Sequence, residues 1–169
     1  MFLYRLLLSR KTYFICLSLI LAALSCSKKD DETAIKALIR KGADLAEKHE
    51  IGDLMDLASD GFVAMPGELN ERETKGVLWR TFRYYKAFKI LYPRPEIIVE
   101  ENGRNASAKL PLLIVKEDHA FRKLKDLFDD PKQWIEEAEK SAAIYRLELD
   151  LVKAEGDWLV QRARVIKFT

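Results

Sequence analysis

The sequence feature that most constrains the fold is an alternation of apolar and charged residues near the C-terminus. Over residues 145–151 the sequence YRLELDL has an apolar residue at every second position and a charged residue between each pair. Because side chains alternate between the two faces of a strand, this pattern predicts an antiparallel strand with one buried face. The turn sequence Glu155-Gly156-Asp157 and a second strand, Trp158 to Phe168, follow, which predicts a closing hairpin.

A second hairpin is predicted upstream of the first. The β-rich segment Glu96 to Glu101 is followed by Asn102-Gly103, a dipeptide typical of a type I′ turn, and then by alternating apolar residues from Ala106 to Ile114. Between the two hairpins, residues 119–128 and 134–142 are predicted to be helical, and Asp130 and Pro131 suit the cap and first residue of the second helix.

The first half of the domain is predicted to be mainly helical. Apolar residues recur at three- and four-residue spacing from Ile35 to His49, and a short helix is expected over residues 51–58. A brief strand over residues 62–65 ends at Pro66-Gly67. A third helix begins at a capping box formed by Asn70 and Glu73 and is predicted to run to about residue 91.

This order of elements resembles the NTF2-like superfamily, which includes ketosteroid isomerase and SnoaL-type cyclases. The resemblance is carried by GDLMDLASDGFVAMPG (residues 52–67) and by LVKAEGDWLVQRARVI (residues 151–166). It implies an α+β cone in which a curved antiparallel sheet wraps round a long helix and leaves a pocket at its open end. The helical insert of residues 119–142 departs from this pattern. It would cap the open end, pack outside or form a partner surface, and the sequence leaves these alternatives open.

The N-terminus has the features of an export signal. A positively charged start precedes an almost unbroken apolar run of twelve residues, Tyr13 to Leu24, which is shorter than the about 20 residues that span a bilayer. The following LAALSC resembles a bacterial lipobox, although Ala23 stands where that motif usually has leucine. The resemblance implies cleavage before Cys26 and acylation of its thiol, including palmitate. An uncleaved N-terminal anchor is the alternative, and either would tether the domain to a membrane.

These features predict three segments: a lipoprotein signal peptide over residues 1–25, a linker over 26–31 and an NTF2-like domain over 32–169. The protein is therefore expected in the bacterial cell envelope. If the source is Gram-negative, Ser27 favours the outer membrane, with the domain facing the periplasm. The lipid anchor at Cys26 would be its membrane partner.

Composition excludes several classes of function. Of 29 basic and 27 acidic residues, Arg5, Arg10 and Lys11 lie in the export segment, which leaves 26 basic residues and a net charge of −1. No nucleic-acid partner is expected for such a domain. The sequence contains no CxxC, no HExxH and no glycine-rich loop, so neither a metal nor another cofactor is predicted.

Three residues are predicted to line the pocket: Tyr85, Arg162 and Arg164. Tyr85 belongs to the aromatic face of the third helix, which would line the pocket base in this fold. Arg162 and Arg164 are two residues apart on the last strand, so both point to one face and would bind an acidic ligand. Ion pairs with Glu148 or Asp150 are the default interpretation of the two arginines, because such structural networks are common.

No catalytic residue is predicted. His49, Asp53 and Asp56 are the strongest candidates, but a structural role explains them better: a histidine that ends the apolar stripe and two aspartates that cap or solvate a short helix. The opposite face of the third helix combines Trp79 with cationic residues, which suits either a solvated face or contact with anionic lipid head groups. This stripe consists of Arg72, Lys75, Trp79, Arg83 and Lys86.

The predicted function is binding of a small molecule or of a protein at the membrane surface, through the pocket or the helical insert. The alternative is an isomerase- or hydrolase-type enzyme that uses a buried carboxylate or histidine in the pocket. A pocket filled by Phe121, Leu124 and Trp134 would count against the enzyme.

Overall fold

A computed structural model describes residues 30–115, 122–139 and 144–167 of the chain. The export segment, Cys26 and Phe121 lie outside these residues, and the last two residues of the predicted linker already belong to the first helix. Within the described residues, no helix is both long and apolar enough to cross a membrane. In chain order the elements are α1 (30–48), α2 (Ile51–Met55), β1 (Ala58–Met65), α3 (Glu71–Tyr85), β2 (Lys89–Leu91), β3 (Glu96–Val99), β4 (Asn105–Val115), α4 (Arg122–Asp126), α5 (Pro131–Glu139), β5 (Tyr145–Ala154) and β6 (Asp157–Lys167).

The strands form one sheet in the order β1-β6-β5-β4-β2, and β3 also pairs with β4. Every pairing is antiparallel except that of β1 with β6. The closing hairpin is confirmed: Ala154 pairs with Asp157 across a two-residue turn. Both turn residues have positive φ, 53° at Glu155 and 100° at Gly156, which is the backbone pattern of a type I′ turn.

One face of the sheet packs against α1 and α3. Ile35 and Ile39 of α1 are buried against apolar residues of β4, β5 and β6, among them Leu110 and Leu149. At the other end of α1, Phe82 of α3 belongs to a second buried cluster, which also includes Ala46 and Phe88 and which contacts Ile90 and Ile114. The curved sheet with helices packed on it, predicted from the sequence, is therefore confirmed, although the parallel pairing of β1 with β6 departs from the predicted antiparallel sheet.

The helical insert packs on the opposite face of the same sheet. Leu110 and Ile114 of β4 face α1 and α3, so the alternation along the strand turns Leu113 to the other side. There Leu113 is fully buried against Trp134 of α5 and Leu124 of α4. The insert was expected to cap the open end, to pack outside or to form a partner surface, and the structure shows that it packs outside the cone. The side chains of Leu124 and Trp134 therefore do not fill the space beside α1.

Three details of the prediction are wrong. The second helix ends at Met55 and not near residue 58, and the strand that follows begins at Ala58 and not at residue 62. α3 ends at Tyr85 and not near residue 91, because Lys86 has φ 56° and ψ −115°, and a positive φ cannot continue a right-handed helix. Residues 89–91 form β2 instead. The turn between β3 and β4 is not type I′, since Gly103 has positive φ but Asn102 does not. The side chain of Asn102 instead accepts hydrogen bonds from the backbone N–H of Arg104 and Asn105.

Both helix caps predicted from the sequence are confirmed. The Asn70 side chain accepts from the Glu73 N–H, and the Glu73 carboxylate accepts from the Asn70 N–H, each at 3.0 Å. Asp130 caps α5 by accepting from the Gln133 N–H at 3.1 Å, directly before Pro131.

The edge strand β2 is bound by a carboxylate of α1. Glu47 accepts a hydrogen bond from the Ile90 N–H at 2.7 Å and forms a 2.7 Å ion pair with Lys89. An edge strand leaves alternate N–H groups without a partner in the sheet, and here one of them is bound by a helix side chain. This contact also fixes the end of α1 against the start of β2.

We predict that Trp134→Ala lowers the free energy of unfolding by about 3–5 kcal/mol, because the side chain is fully buried and its removal leaves a cavity. Urea denaturation followed by circular dichroism measures this change. Trp79→Ala is the matched control: Trp79 is 53% exposed, so its removal should cost no more than about 1 kcal/mol. Equal losses in the two variants would mean that the insert does not contribute to the core.

Candidate functional site

A groove of about 410 Å³ lies between the end of α1 and the exposed side of α3. This volume is within the range of about 300–1,000 Å³ that is usual for small-molecule sites. We call it the aromatic groove, because three of its lining side chains carry aromatic rings. It is lined by His49, Ile51, Trp79, Phe82, Arg83 and Lys86.

His49 is positioned by the way in which α1 ends. Its N–H donates to the Ala46 carbonyl at 3.1 Å, and the Glu50 N–H donates to the Leu45 carbonyl at 3.0 Å. This pair of bonds is a Schellman motif, with His49 at the left-handed position (φ 63°) where glycine is usual. The side chain is exposed, and its ring stacks on Phe82 with 5.0 Å between centroids.

A second stacked ring extends this aromatic surface. Phe88 lies 5.3 Å from His49 and 5.5 Å from Phe82, so the three rings contact one another. Phe82 and Phe88 are buried, and the His49 ring covers them at the groove. His49 thus occupies a left-handed backbone position that costs a non-glycine residue some strain, and its imidazole covers the rings of Phe82 and Phe88. A glycine at this position would have no side chain to cover them.

The other wall of the groove comes from one side of α3. Trp79, Arg83 and Lys86 follow one another at four- and three-residue spacing, which places them along one stripe of the helix. The Arg83 guanidinium carbon lies 4.6 Å from the centre of the Trp79 ring, a cation–π contact. Lys86 ends the stripe at the positive-φ residue that terminates the helix.

The electrostatic character of the groove is cationic. No carboxylate lines it, and within the described residues neither Arg83 nor Lys86 forms an ion pair. In contrast, Lys75 on the same helix is paired with Glu71 at 2.5 Å. The groove thus combines exposed rings with two cations that are available to an anion.

The residues predicted to line the pocket do not come together. Tyr85 lies on the helix side of the sheet, where its ring meets the edge of Phe88 at 6.4 Å. Arg162 pairs with Asp150 at 3.2 Å and Arg164 with Glu148 at 3.3 Å. These two arginines lie on the sheet face opposite α1, because the residue between them, Ala163, packs against the α1 cluster.

Of the catalytic candidates, only His49 lines the groove. Asp53 and Asp56 are exposed on and just after α2 and are not among its lining residues. No group of three or more histidine, cysteine, aspartate or glutamate side chains within the described residues is arranged to hold a metal ion.

The stripe of Trp79, Arg83 and Lys86 was predictable from the sequence, whereas the His49 ring across the groove was not. The helical spacing was the available signal for the stripe. The stacking of His49 depends on a left-handed backbone conformation, which a histidine in the sequence does not predict, because glycine is the usual residue at such a position.

A buried polar cluster at the other end of α1 is structural. Asp31 is 5% exposed and accepts hydrogen bonds from Lys153 at 2.5 Å and from the Trp158 indole N–H at 3.0 Å. The hydrogen bond from Lys153 holds the pKa of Asp31 below its ordinary value, against the opposing effect of burial. The cluster fixes the start of α1 to the β5–β6 hairpin.

No protein-family model and no curated protein matches the sequence. Solved structures do match. One is a protein from Novosphingobium aromaticivorans DSM 12444 proposed to be a scytalone dehydratase, with TM-score 0.63 and 10% identity over 86% of this chain and 89% of that one. An NTF2-like protein with a cystatin-like fold from the same species has TM-score 0.61 and 12% identity over 85% of each chain.

A third match is ActVI-ORFA from Streptomyces coelicolor, with TM-score 0.54 and 11% identity over 80% of this chain and 95% of that one. Identities of 10–12% show a shared fold and do not transfer a site or an activity. The fold is therefore the NTF2-like, cystatin-like fold.

We predict that Asp31→Asn destabilises the protein at pH 6 and that this effect becomes smaller as the pH is lowered towards 2. The folded pKa of Asp31 is below the ordinary value of 3.8, so its contribution is complete above that value and is lost as pH falls through the folded pKa. The measurement is the difference in unfolding free energy between the native chain and the variant at each pH.

Asp150→Asn is the control, because the Asp150 carboxylate is about half exposed in its ion pair with Arg162 and should matter little at either pH. A destabilisation by Asp31→Asn that is the same at both pH values would contradict the prediction.

Proposed function

We propose that the chain is a membrane-tethered binding protein of the bacterial envelope, whose NTF2-like domain takes a small molecule in the aromatic groove. The observation that carries this proposal is the lining of the groove. Exposed rings of His49 and Trp79 face a space of small-molecule size, and among the described residues its charged lining side chains are Arg83 and Lys86. Ligand sites generally combine such an apolar surface with a few polar groups that fix orientation.

The position of the groove suits a tethered domain. Cys26, the expected site of acylation, precedes the start of α1 by four residues, which span at most about 14 Å when extended. α1 has 19 residues and is about 28 Å long, and the groove lies at its far end. A lipid at Cys26 would therefore hold the opposite end of α1 at the bilayer and leave the groove accessible.

A proton-transfer or hydrolytic enzyme is the second candidate, and His49 is the observation that favours it. Its imidazole is exposed in the groove and is the residue type most often used as a general base. Such chemistry also needs a carboxylate or similar group that orients the base. Asp53 and Asp56 are not in the lining, so binding without reaction accounts better for the site.

We predict that the full-length protein, extracted from its membrane in mild detergent, retains a small molecule that Trp79→Ala loses, because the indole forms one wall of the groove. Mass spectrometry of the extracted compounds measures retention. Tyr84→Ala is the matched control: Tyr84 is 76% exposed on the same helix but does not line the groove. Equal retention by both variants, or none by the native chain, would contradict binding in the groove.

We also predict that Cys26→Ala removes the mass of the acyl groups from the protein. Stable anchoring needs about two or more acyl chains, which a modified Cys26 would supply. Cys16→Ala is the control, since Cys16 lies inside the apolar run of the export segment. Acylation that persists in Cys26→Ala would show that another residue carries the lipid.

A further inference from the structure

We infer that the ligand of the aromatic groove is an aromatic carboxylic acid: a flat ring system that bears one carboxylate. This inference rests on the proposed function and names the chemical class that the groove selects. It follows from two features, the ring surfaces and the two cations that lie beside them.

The ring surfaces favour a flat apolar group. The His49 ring stacks nearly parallel on Phe82 and Phe88, with interplanar angles of 19° and 26°. Since its own side chain is exposed, the groove side of this stack is open to another ring. Trp79, which is 53% exposed, offers a second aromatic surface in the same groove. Offset stacking on such surfaces is favourable for aromatic ligands and adds little for aliphatic ones.

The cations favour a carboxylate on that ring. Arg83 is stacked over Trp79, and a guanidinium held in this way keeps its N–H donors in its own plane, where they match the two oxygens of a carboxylate. Lys86 adds a second positive charge in the same groove. Neither is neutralised by a carboxylate among the described residues, whereas Arg162 and Arg164 on the sheet each have one.

The competing occupant of this surface is an anionic bilayer. α3 also exposes Arg72 and Arg80, and basic helices with tryptophan bind lipid head groups. A head group would use the cations but not the stacked rings at the floor of the groove. The joint presence of both features in one concave site is the reason for preferring a soluble aromatic acid.

The test uses the full-length chain in detergent and isothermal titration calorimetry with 2-naphthoate and 2-naphthamide. These probes have the same ring system and differ in charge. We expect naphthoate to bind at least about tenfold more tightly than naphthamide. Arg83→Met and Lys86→Met should each weaken naphthoate binding by about tenfold, a loss of about 1.4 kcal/mol, and leave naphthamide unaffected. Lys75→Met is the matched control, since Lys75 is already paired with Glu71.

Three results would overturn the inference. Equal binding of naphthoate and naphthamide would show recognition of the ring alone. Equal competition by inorganic phosphate would show a general anion site. Binding to phosphatidylglycerol vesicles that depends on Arg83 and Lys86, without binding of naphthoate, would show a membrane contact. If a retained compound depends on Trp79 but naphthoate does not bind, the proposed function stands and only the ligand class is wrong.

Discussion

Burial of both faces of β4 is the constraint on which the domain depends. Ala108 and Leu110 contact α1 on one face, while Leu113 and Val115 contact the insert helices on the other. Ile114 joins the third cluster, beside Phe82. A strand with water on one side needs only alternate apolar residues, whereas the end of β4 reads LLIV, a continuous apolar run. The insert is therefore part of the core and not an appendage, and the cone is stabilised from outside as well as inside.

Much of the fold was predictable, because hydrophobic periodicity and turn residues determine where strands and helices occur. The alternation over residues 145–151 located β5, and the capping box at Asn70 located the start of α3. The end of α3 was not predictable, because aromatic and β-branched residues continue past Tyr85 with no proline or glycine before Pro93. The helix ends where Lys86 takes a positive φ, a conformation that a lysine side chain does not itself favour.

The candidate site was predictable only in part, and the reason is geometric. Helical spacing places Trp79 and Arg83 on one side of α3, so one wall could be inferred from sequence. The other wall depends on His49, which lies 30 residues before Trp79 in the sequence. The Schellman motif at the end of α1 places its side chain at the groove. Whether Arg162 and Arg164 bind a ligand or form ion pairs depends on the register of β5 and β6. Asp150 and Glu148 lie directly opposite the two arginines, and a shift of one residue would have left both arginines without these partners.

The contact of Glu47 with β2 has a consequence for behaviour at high concentration. An open sheet edge is a template on which a second chain can add a strand, and this is a common origin of aggregation. With the Ile90 N–H already bound to a carboxylate, an incoming strand would have to displace a charged group and leave it desolvated. Such an obstacle to intermolecular β-pairing helps each copy remain separate when the protein is concentrated.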